Sequence, residues 1–114
     1  MIEIRIAVAS DGDKVSLHFG KCPEYRVFHI EEGKVLKQET LKNPGHEPGV
    51  LPKFLANHGI NCIIAGGMGP RAENLFTSYN VKVIKGALGS VDDVVESYLA
   101  GTLKTGESSC EHDK

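Results

Sequence analysis

The stretch that decides the fold is residues 60–75, I-N-C-I-I-A-G-G-M-G-P-R-A-E-N-L. Its apolar run from Cys62 to Ala65 has the length of a buried strand and ends at a glycine-rich segment. Proline follows at Pro70, a residue type suited to the first helical position because its missing N–H would have no partner there. Apolar side chains then recur at helical spacing, at Ala72, Leu75, Phe76 and Tyr79. The pattern therefore predicts a strand, a tight glycine turn and a helix.

Residues 66–69, G-G-M-G, form this glycine turn. Glycine lets the backbone approach a ligand closely, and N–H groups at the start of a helix favour an anion in front of it. We therefore expect Gly66, Gly67, Met68 and Gly69 to line a site for an anionic group. The Met68 side chain is either a thioether ligand or a cover over the turn, and the sequence leaves both open.

The segments around this unit supply the other elements of a sheet. Strand-like runs occupy residues 2–9, 25–30, 34–40, 62–65 and 81–84. Amphipathic helical patterns occupy residues 51–58, 70–79 and 91–99. A hairpin over residues 31–33 and right-handed crossovers later in the chain predict an α/β fold. The expected sheet is mixed and five-stranded, in the order 3-2-1-4-5, with helices on its faces.

Composition limits the class of protein. The 114 residues predict one domain, residues 1–101, followed by a polar, mobile tail, residues 102–114. A net charge of −2 with scattered Lys and Arg excludes the basic footprint of nucleic-acid binding. No apolar run has the length of a membrane span and no leader pattern is present, so we predict a cytoplasmic protein without a membrane partner. The three widely spaced cysteines predict reduced thiols, and the few exposed apolar residues predict a monomer.

The expected binding edge lies beyond the carboxyl ends of the parallel strands, where α/β sheets bind ligands. Three loops meet there in the predicted sheet, residues 10–24, 66–71 and 86–90. His18 lies in the first loop, where an imidazole can ligate a metal or, when protonated, bind an anion. Cys22 lies four residues later and is a second possible ligand, although a packed thiol is the simpler interpretation.

Other residues with metal-ligating side chains lie outside these loops. Cys110, Glu111 and His112 place a thiolate, a carboxylate and an imidazole within three residues near the C-terminus. A mobile tail of this composition could ligate metal, so Cys110 and His112 are candidate ligands. His46 is more simply a solvated loop histidine. His29 and His58 are interpreted as a strand residue and a cation at a helix end.

Enzymatic functions find little support in the sequence. Residues 67–72 fit the G-x-G-x-x-A form of a dinucleotide fingerprint, but the next strand ends without the acidic residue that would hold a ribose. Nuclease chemistry needs acidic side chains within the core strands, and the first strand offers only Glu3. A hydrolase would need acids at the sheet edge, where only Asp11, Asp13 and Glu24 are available. We therefore predict no catalysis and keep, as the alternative, a phosphate- or nucleotide-binding module that uses the glycine turn.

Three motifs together resemble the dinitrogenase iron-molybdenum cofactor biosynthesis family, over about residues 2–101. They are S-L-H-F-G at residues 16–20 followed by Y-R-V-F, G-G-M-G-P-R-A at residues 66–72, and V-D-D-V-V-E at residues 91–96. The family includes carriers of the NifX and NafY type, the C-terminal domain of NifB and many small stand-alone proteins. The resemblance implies a ribonuclease H-like three-layer fold. It also implies binding of an iron–sulfur or iron–molybdenum cluster, which passes from a donor protein to an acceptor protein without a reaction at the carrier.

The resemblance also assigns residues. The family's cluster-binding histidine corresponds to His18, and the glycine turn would face the bound cluster. This agrees with the anion site expected from the residues themselves, since such clusters are anionic. We therefore expect His18 to be the first ligand. Possible auxiliary ligands are Cys22, Met68, Cys110 and His112.

Overall fold

The structure, a computed structural model, describes residues 3–19, 22–43 and 50–101. The predicted tail, residues 102–114, with the candidate ligands Cys110 and His112, lies outside the described residues, as does His46.

The described residues form six strands and three helices. The strands are β1 (Glu3–Asp11), β2 (Lys14–Val15), β3 (Glu24–Glu31), β4 (Lys34–Lys42), β5 (Cys62–Ile64) and β6 (Lys82–Ile84). The helices are α1 (Val50–Asn57), α2 (Pro70–Ser78) and α3 (Val91–Ala100). The strand, glycine turn and helix predicted from residues 60–75 are all present, and Pro70 is the first residue of α2.

The sheet has six strands where the sequence predicts five. The additional strand, β2, pairs antiparallel with the end of β1, with Ser10 opposite Val15. Gly12 has a φ of 67°, which lets the chain reverse between the two strands. A strand of two residues is too short to show the alternation that identifies longer strands, and the predicted loop over residues 10–24 is correspondingly shorter.

The other five strands lie in the order β4-β3-β1-β5-β6. β3 is antiparallel to both of its neighbours, whereas β1, β5 and β6 are parallel to one another. The carboxyl ends of these three parallel strands therefore share one edge of the sheet. The loops that follow them, around residues 12–19, 65–69 and 85–90, are brought together at that edge.

Helices cover both faces of the sheet. On one face α1 and α2 pack through Leu51, Leu55 and Phe76 against strand residues that include Ala7 and Ile63. On the other face α3 packs through its buried residues Val91, Val94 and Val95. Because successive strand residues point to opposite faces, the fully buried run Ile6–Ala9 serves both cores. The architecture is thus a mixed sheet between two helical layers.

None of the described helices combines the length and the apolar character that are needed to cross a membrane.

Candidate functional site

The candidate site is a set of three loops joined by backbone hydrogen bonds at the carboxyl edge of the sheet. We call residues 16–19 the histidine loop. The Gly66 N–H donates to the Ser16 carbonyl at 2.9 Å, and the Phe19 N–H donates to the Gly67 carbonyl at 3.1 Å. The two bonds hold the histidine loop against the glycine turn as a short paired segment.

The third loop, residues 85–90, is bonded to the same unit. The Gly86 N–H donates to the Gly66 carbonyl at 3.1 Å, and the Val15 N–H donates to the Gly89 carbonyl at 2.9 Å. Gly86 and Gly89 both have positive φ, at 81° and 104°. The backbone of all three loops is therefore fixed by contacts between segments that are far apart in sequence.

Glycine is required at the contact between the histidine loop and the glycine turn. A Cβ at Gly67 would lie 2.7 Å from the Leu17 carbonyl oxygen, and a Cβ at Gly66 would lie 3.0 Å from the Ser16 carbonyl oxygen. Both obstacles are backbone atoms, which cannot rotate out of the way. The two glycines thus allow the loops to approach more closely than any other residue type would permit.

His18 is an exposed side chain on a fixed backbone. The Ser16 hydroxyl accepts a hydrogen bond from the His18 N–H and donates one to the His18 carbonyl, both at 3.2 Å. The next residue, Phe19, is buried, with its ring centroid 5.4 Å from Tyr25 and 5.3 Å from Phe76. The backbone that carries the imidazole is therefore held on both sides of His18, next to the glycine turn.

Sequence analysis does not identify Ser16 and Tyr25 as parts of this site. The Tyr25 hydroxyl donates to the Phe19 carbonyl at 2.6 Å, inside the core. A serine two residues before the histidine is a local signal, since serine side chains bond to nearby backbone groups in turns. The contact of Tyr25 has no such signal, because it depends on how β3 packs behind the loop.

The start of α2 presents backbone donors that have no acceptor among the described residues. Gly69 is its N-cap, with φ −71° and ψ 159°, and no side chain caps the helix. Within the described part of the chain, the N–H groups of Gly67, Met68 and Gly69 have no hydrogen-bond acceptor. Met68 is half-buried and packs against the core on the α2 face, while Gly69 is exposed. This segment can donate hydrogen bonds to an anion, and the helix dipole favours one there.

Cys22 is not brought to the surface with His18. It is 2% exposed, and its thiol donates to the Phe19 carbonyl at 3.2 Å. Burial raises the pKa of the Cys22 thiol, which opposes formation of the thiolate that a metal requires. Cys62 is equally enclosed in the opposite core, where burial raises its pKa to about 11.

Two of the acidic residues at this edge, Asp13 and Glu24, lie close to an arginine. Arg26 on β3 lies 3.2 Å from Asp13 and 4.0 Å from Glu24, and it donates to the Gly12 carbonyl at 3.1 Å. These contacts brace the turn between β1 and β2. Among the described residues, no three His, Cys, Asp or Glu side chains are grouped so that they could hold a metal ion.

The chain belongs to the dinitrogenase iron-molybdenum cofactor family, which it matches over residues 3–101. The family membership predicted from the three motifs is therefore confirmed.

Similar proteins extend over nearly the whole chain. An uncharacterized protein of Methanocaldococcus jannaschii, MJ0580, is 30% identical over 106 residues, which are 89% of this chain and 90% of that protein. The crystal structure of PH0822 is 32% identical, with a TM-score of 0.87, and the match covers 95% of this chain and 99% of that one. The apo form of the orange protein from Desulfovibrio gigas is 25% identical, with a TM-score of 0.74, over 90% of this chain and 92% of that one.

Proposed function

We propose that this protein binds a preassembled iron–sulfur or iron–molybdenum–sulfur cluster at the loop edge and passes it to an acceptor protein, with no reaction of its own. Family membership associates the chain with the biosynthesis or binding of iron–molybdenum cofactor. The observation that carries the proposal is the pairing of the histidine loop with the glycine turn. It joins the segment that carries the exposed His18 to a turn whose backbone N–H groups have no acceptor among the described residues, which supports a binding site there.

The donor set favours a cluster that arrives already assembled. Iron–sulfur clusters built on a protein are usually held by four thiolates, whereas this chain has three cysteines, of which Cys22 and Cys62 are buried. A preassembled cluster carries its own sulfur and needs only one or two protein ligands with hydrogen bonds around it. His18 and the N–H groups of Gly67, Met68 and Gly69 are suited to that role, as is the Gly66 backbone that positions them.

The proposal also assigns auxiliary ligands. Cys110 and His112 are proposed as auxiliary ligands from the tail, and Met68 as a thioether ligand, whereas Cys22 is left out because its thiol is buried. We also propose a cytoplasmic monomer of one ribonuclease H-like domain, residues 1–101, that meets cluster donor and acceptor proteins.

Anaerobic reconstitution tests the proposal. The wild type, His18→Ala and His58→Ala are incubated with iron, sulfide and molybdate, or with a cluster extracted from a donor protein. Metal content and visible absorption are then measured. We expect stoichiometric metal and charge-transfer absorption in the wild type, and an affinity lower by roughly tenfold or more in His18→Ala.

His58→Ala is the matched control. His58 is also exposed but lies after α1, where its Nδ1 contacts the Phe54 carbonyl at 2.8 Å. This variant should bind as the wild type does, because it removes an exposed imidazole away from the loop edge. Equal binding by His18→Ala and the wild type would contradict the proposed site. Protein that stays colourless with every cluster source would contradict the carrier function.

A further inference from the structure

A second polar cluster lies at the amino-terminal end of β1. The candidate site lies beyond the opposite, carboxyl end of that strand. His29 on β3 is 5% exposed and is placed between Glu3 on β1 and Glu39 on β4. Its Nδ1 contacts the Glu3 carboxylate, and its Nε2 lies 2.7 Å from the Glu39 carboxylate. One buried imidazole thus touches an acidic side chain through each ring nitrogen and connects three adjacent strands.

This geometry restricts the protonation state of the cluster. A neutral imidazole has one N–H donor and one acceptor nitrogen, whereas an ionised carboxylate only accepts. With both carboxylates ionised, a neutral ring would direct a nitrogen lone pair at an oxygen lone pair. Both contacts are hydrogen bonds only if the ring carries two protons or if one carboxyl group is protonated.

The surroundings favour the ionised form of both carboxylates. The hydrogen bond from His29 holds the pKa of Glu3 below its ordinary value of 4.5, and Arg5, whose Nε lies 3.2 Å from the same carboxylate, lowers it further. The hydrogen bond from His29 is also the main cause of the lowered pKa of Glu39. Lys37 on β4 and His58 after α1 act on that carboxylate in the same direction. Both carboxylates are therefore ionised at neutral pH.

We propose that His29 is an imidazolium in the folded protein at neutral pH and that its charge clamps the edge strand β4 to the sheet. Along β4 every residue except Leu41 is exposed, so little apolar burial holds this strand in place. The contact between Glu39 and His29 adds a charge-assisted bond from β4 to a buried group, and such bonds are stronger than neutral ones. The register of β3 and β4 also shifts between His29 and Ile30, next to the clamp.

The clamp makes the hairpin of β3 and β4 sensitive to acid. The two lowered glutamate pKa values add stability that is present above about pH 4.5 and is lost as the pH falls through the folded pKa values.

Nuclear magnetic resonance of the wild-type protein tests the proposal directly. Two-bond ¹⁵N–¹H spectra at pH 7 report which ring nitrogens of each histidine are protonated, and the His29 signals are identified by their loss in His29→Gln. We expect both nitrogens of His29 to be protonated in the folded wild type at pH 7. A His29 ring with a single protonated nitrogen in the folded wild type at pH 7 would overturn the proposal.

A measurement of stability tests the clamp without any assignment of the His29 ring signals. The free energy of unfolding in urea is compared at pH 7 and pH 3 for the wild type and for Glu39→Gln, which keeps the shape and an acceptor oxygen but removes one charge. We expect the wild type to lose more stability over this range than Glu39→Gln, because the pKa of Glu39 is lowered in the fold and the variant has no carboxylate there to protonate. The same pH dependence in both proteins would show that the charge does not hold β4.

Discussion

At the scale of single residues, the candidate site depends on Gly67 and on the atoms that it leaves room for. The Phe19 N–H reaches the Gly67 carbonyl, and the Leu17 carbonyl oxygen occupies the space where a side chain at residue 67 would begin. Gly67 does not have a positive φ, so its requirement for glycine comes from this close approach and not from its conformation. By contrast, nothing lies within 4 Å of a Cβ at Gly69.

We therefore expect Gly67→Ala to cost about 1–3 kcal/mol of unfolding free energy, since the histidine loop would have to move. Gly69→Ala is the matched control. It should cost less than about 1 kcal/mol, because its space is open and only the mild preference for glycine over alanine at an N-cap is lost. Urea unfolding of both variants measures the difference. Equal losses in the two variants would mean that the loops do not approach as closely as described.

At the scale of secondary-structure elements, caps fix where α3, one of the helices that flank the site, begins and ends. The Ser90 hydroxyl accepts a hydrogen bond from the Asp93 N–H at 3.1 Å, as the spacing of these two residues predicts. Gly101 ends α3 with a φ of 77°, the left-handed conformation that glycine commonly adopts just after a helix. Ser90 also forms an isolated bridge with Lys14, so the start of α3 is tied to the hairpin of β1 and β2.

Ser90→Ala should lower the unfolding free energy by about 1 kcal/mol, because an N–H in the first turn of α3 loses its acceptor. Ser78→Ala serves as the comparison. The Ser78 hydroxyl donates to the Leu75 carbonyl within α2, a local bond whose loss should change stability by less than about 0.5 kcal/mol. Thermal or urea unfolding distinguishes the two variants. An unchanged midpoint in Ser90→Ala would show that the cap does not stabilise the fold.

At the scale of the whole molecule, the sheet separates two apolar cores, and each contains a buried cysteine. Cys22 lies in the core beneath α1 and α2, and Cys62 lies in the core beneath α3. Burial raises the pKa of both thiols, that of Cys62 to about 11. Alkylation requires that a thiol be exposed to solvent and that it form a thiolate. The folded molecule opposes both at Cys22 and Cys62.

In a Cys110→Ser background, we expect iodoacetamide at pH 8 to label Cys22 and Cys62 at least about a hundredfold more slowly in the native protein than in denaturant. Mass spectrometry of the digested protein follows each site. Rapid labelling of Cys22 in native buffer would show that its thiol reaches solvent, and would return it to the set of possible cluster ligands.

The elements that depend on neighbours in sequence could be predicted from the sequence. The period-2 alternation of β1, the strand and helix around the glycine turn and the caps of α3 are local patterns, and the structure contains each of them. The family also follows from short motifs, because each motif is a contiguous run of residues. β2 was not predicted, because a strand of two residues is too short to show an alternation of apolar and polar side chains.

The sequence by itself thus determined the mixed α/β class, the family and which loops meet at one edge of the sheet, because these follow from the periodicity, the positions of the glycines and the residues of the motifs. Only the tertiary structure decided that Cys22 is buried, that Gly67 lies against the Leu17 carbonyl, and that His29 bridges two glutamates. His29 and Glu3 are 26 positions apart, and their contact depends on the register of β1 against β3. Register and packing arise from the whole chain at once, and for that reason an ordinary strand histidine in the sequence becomes a buried link between three strands.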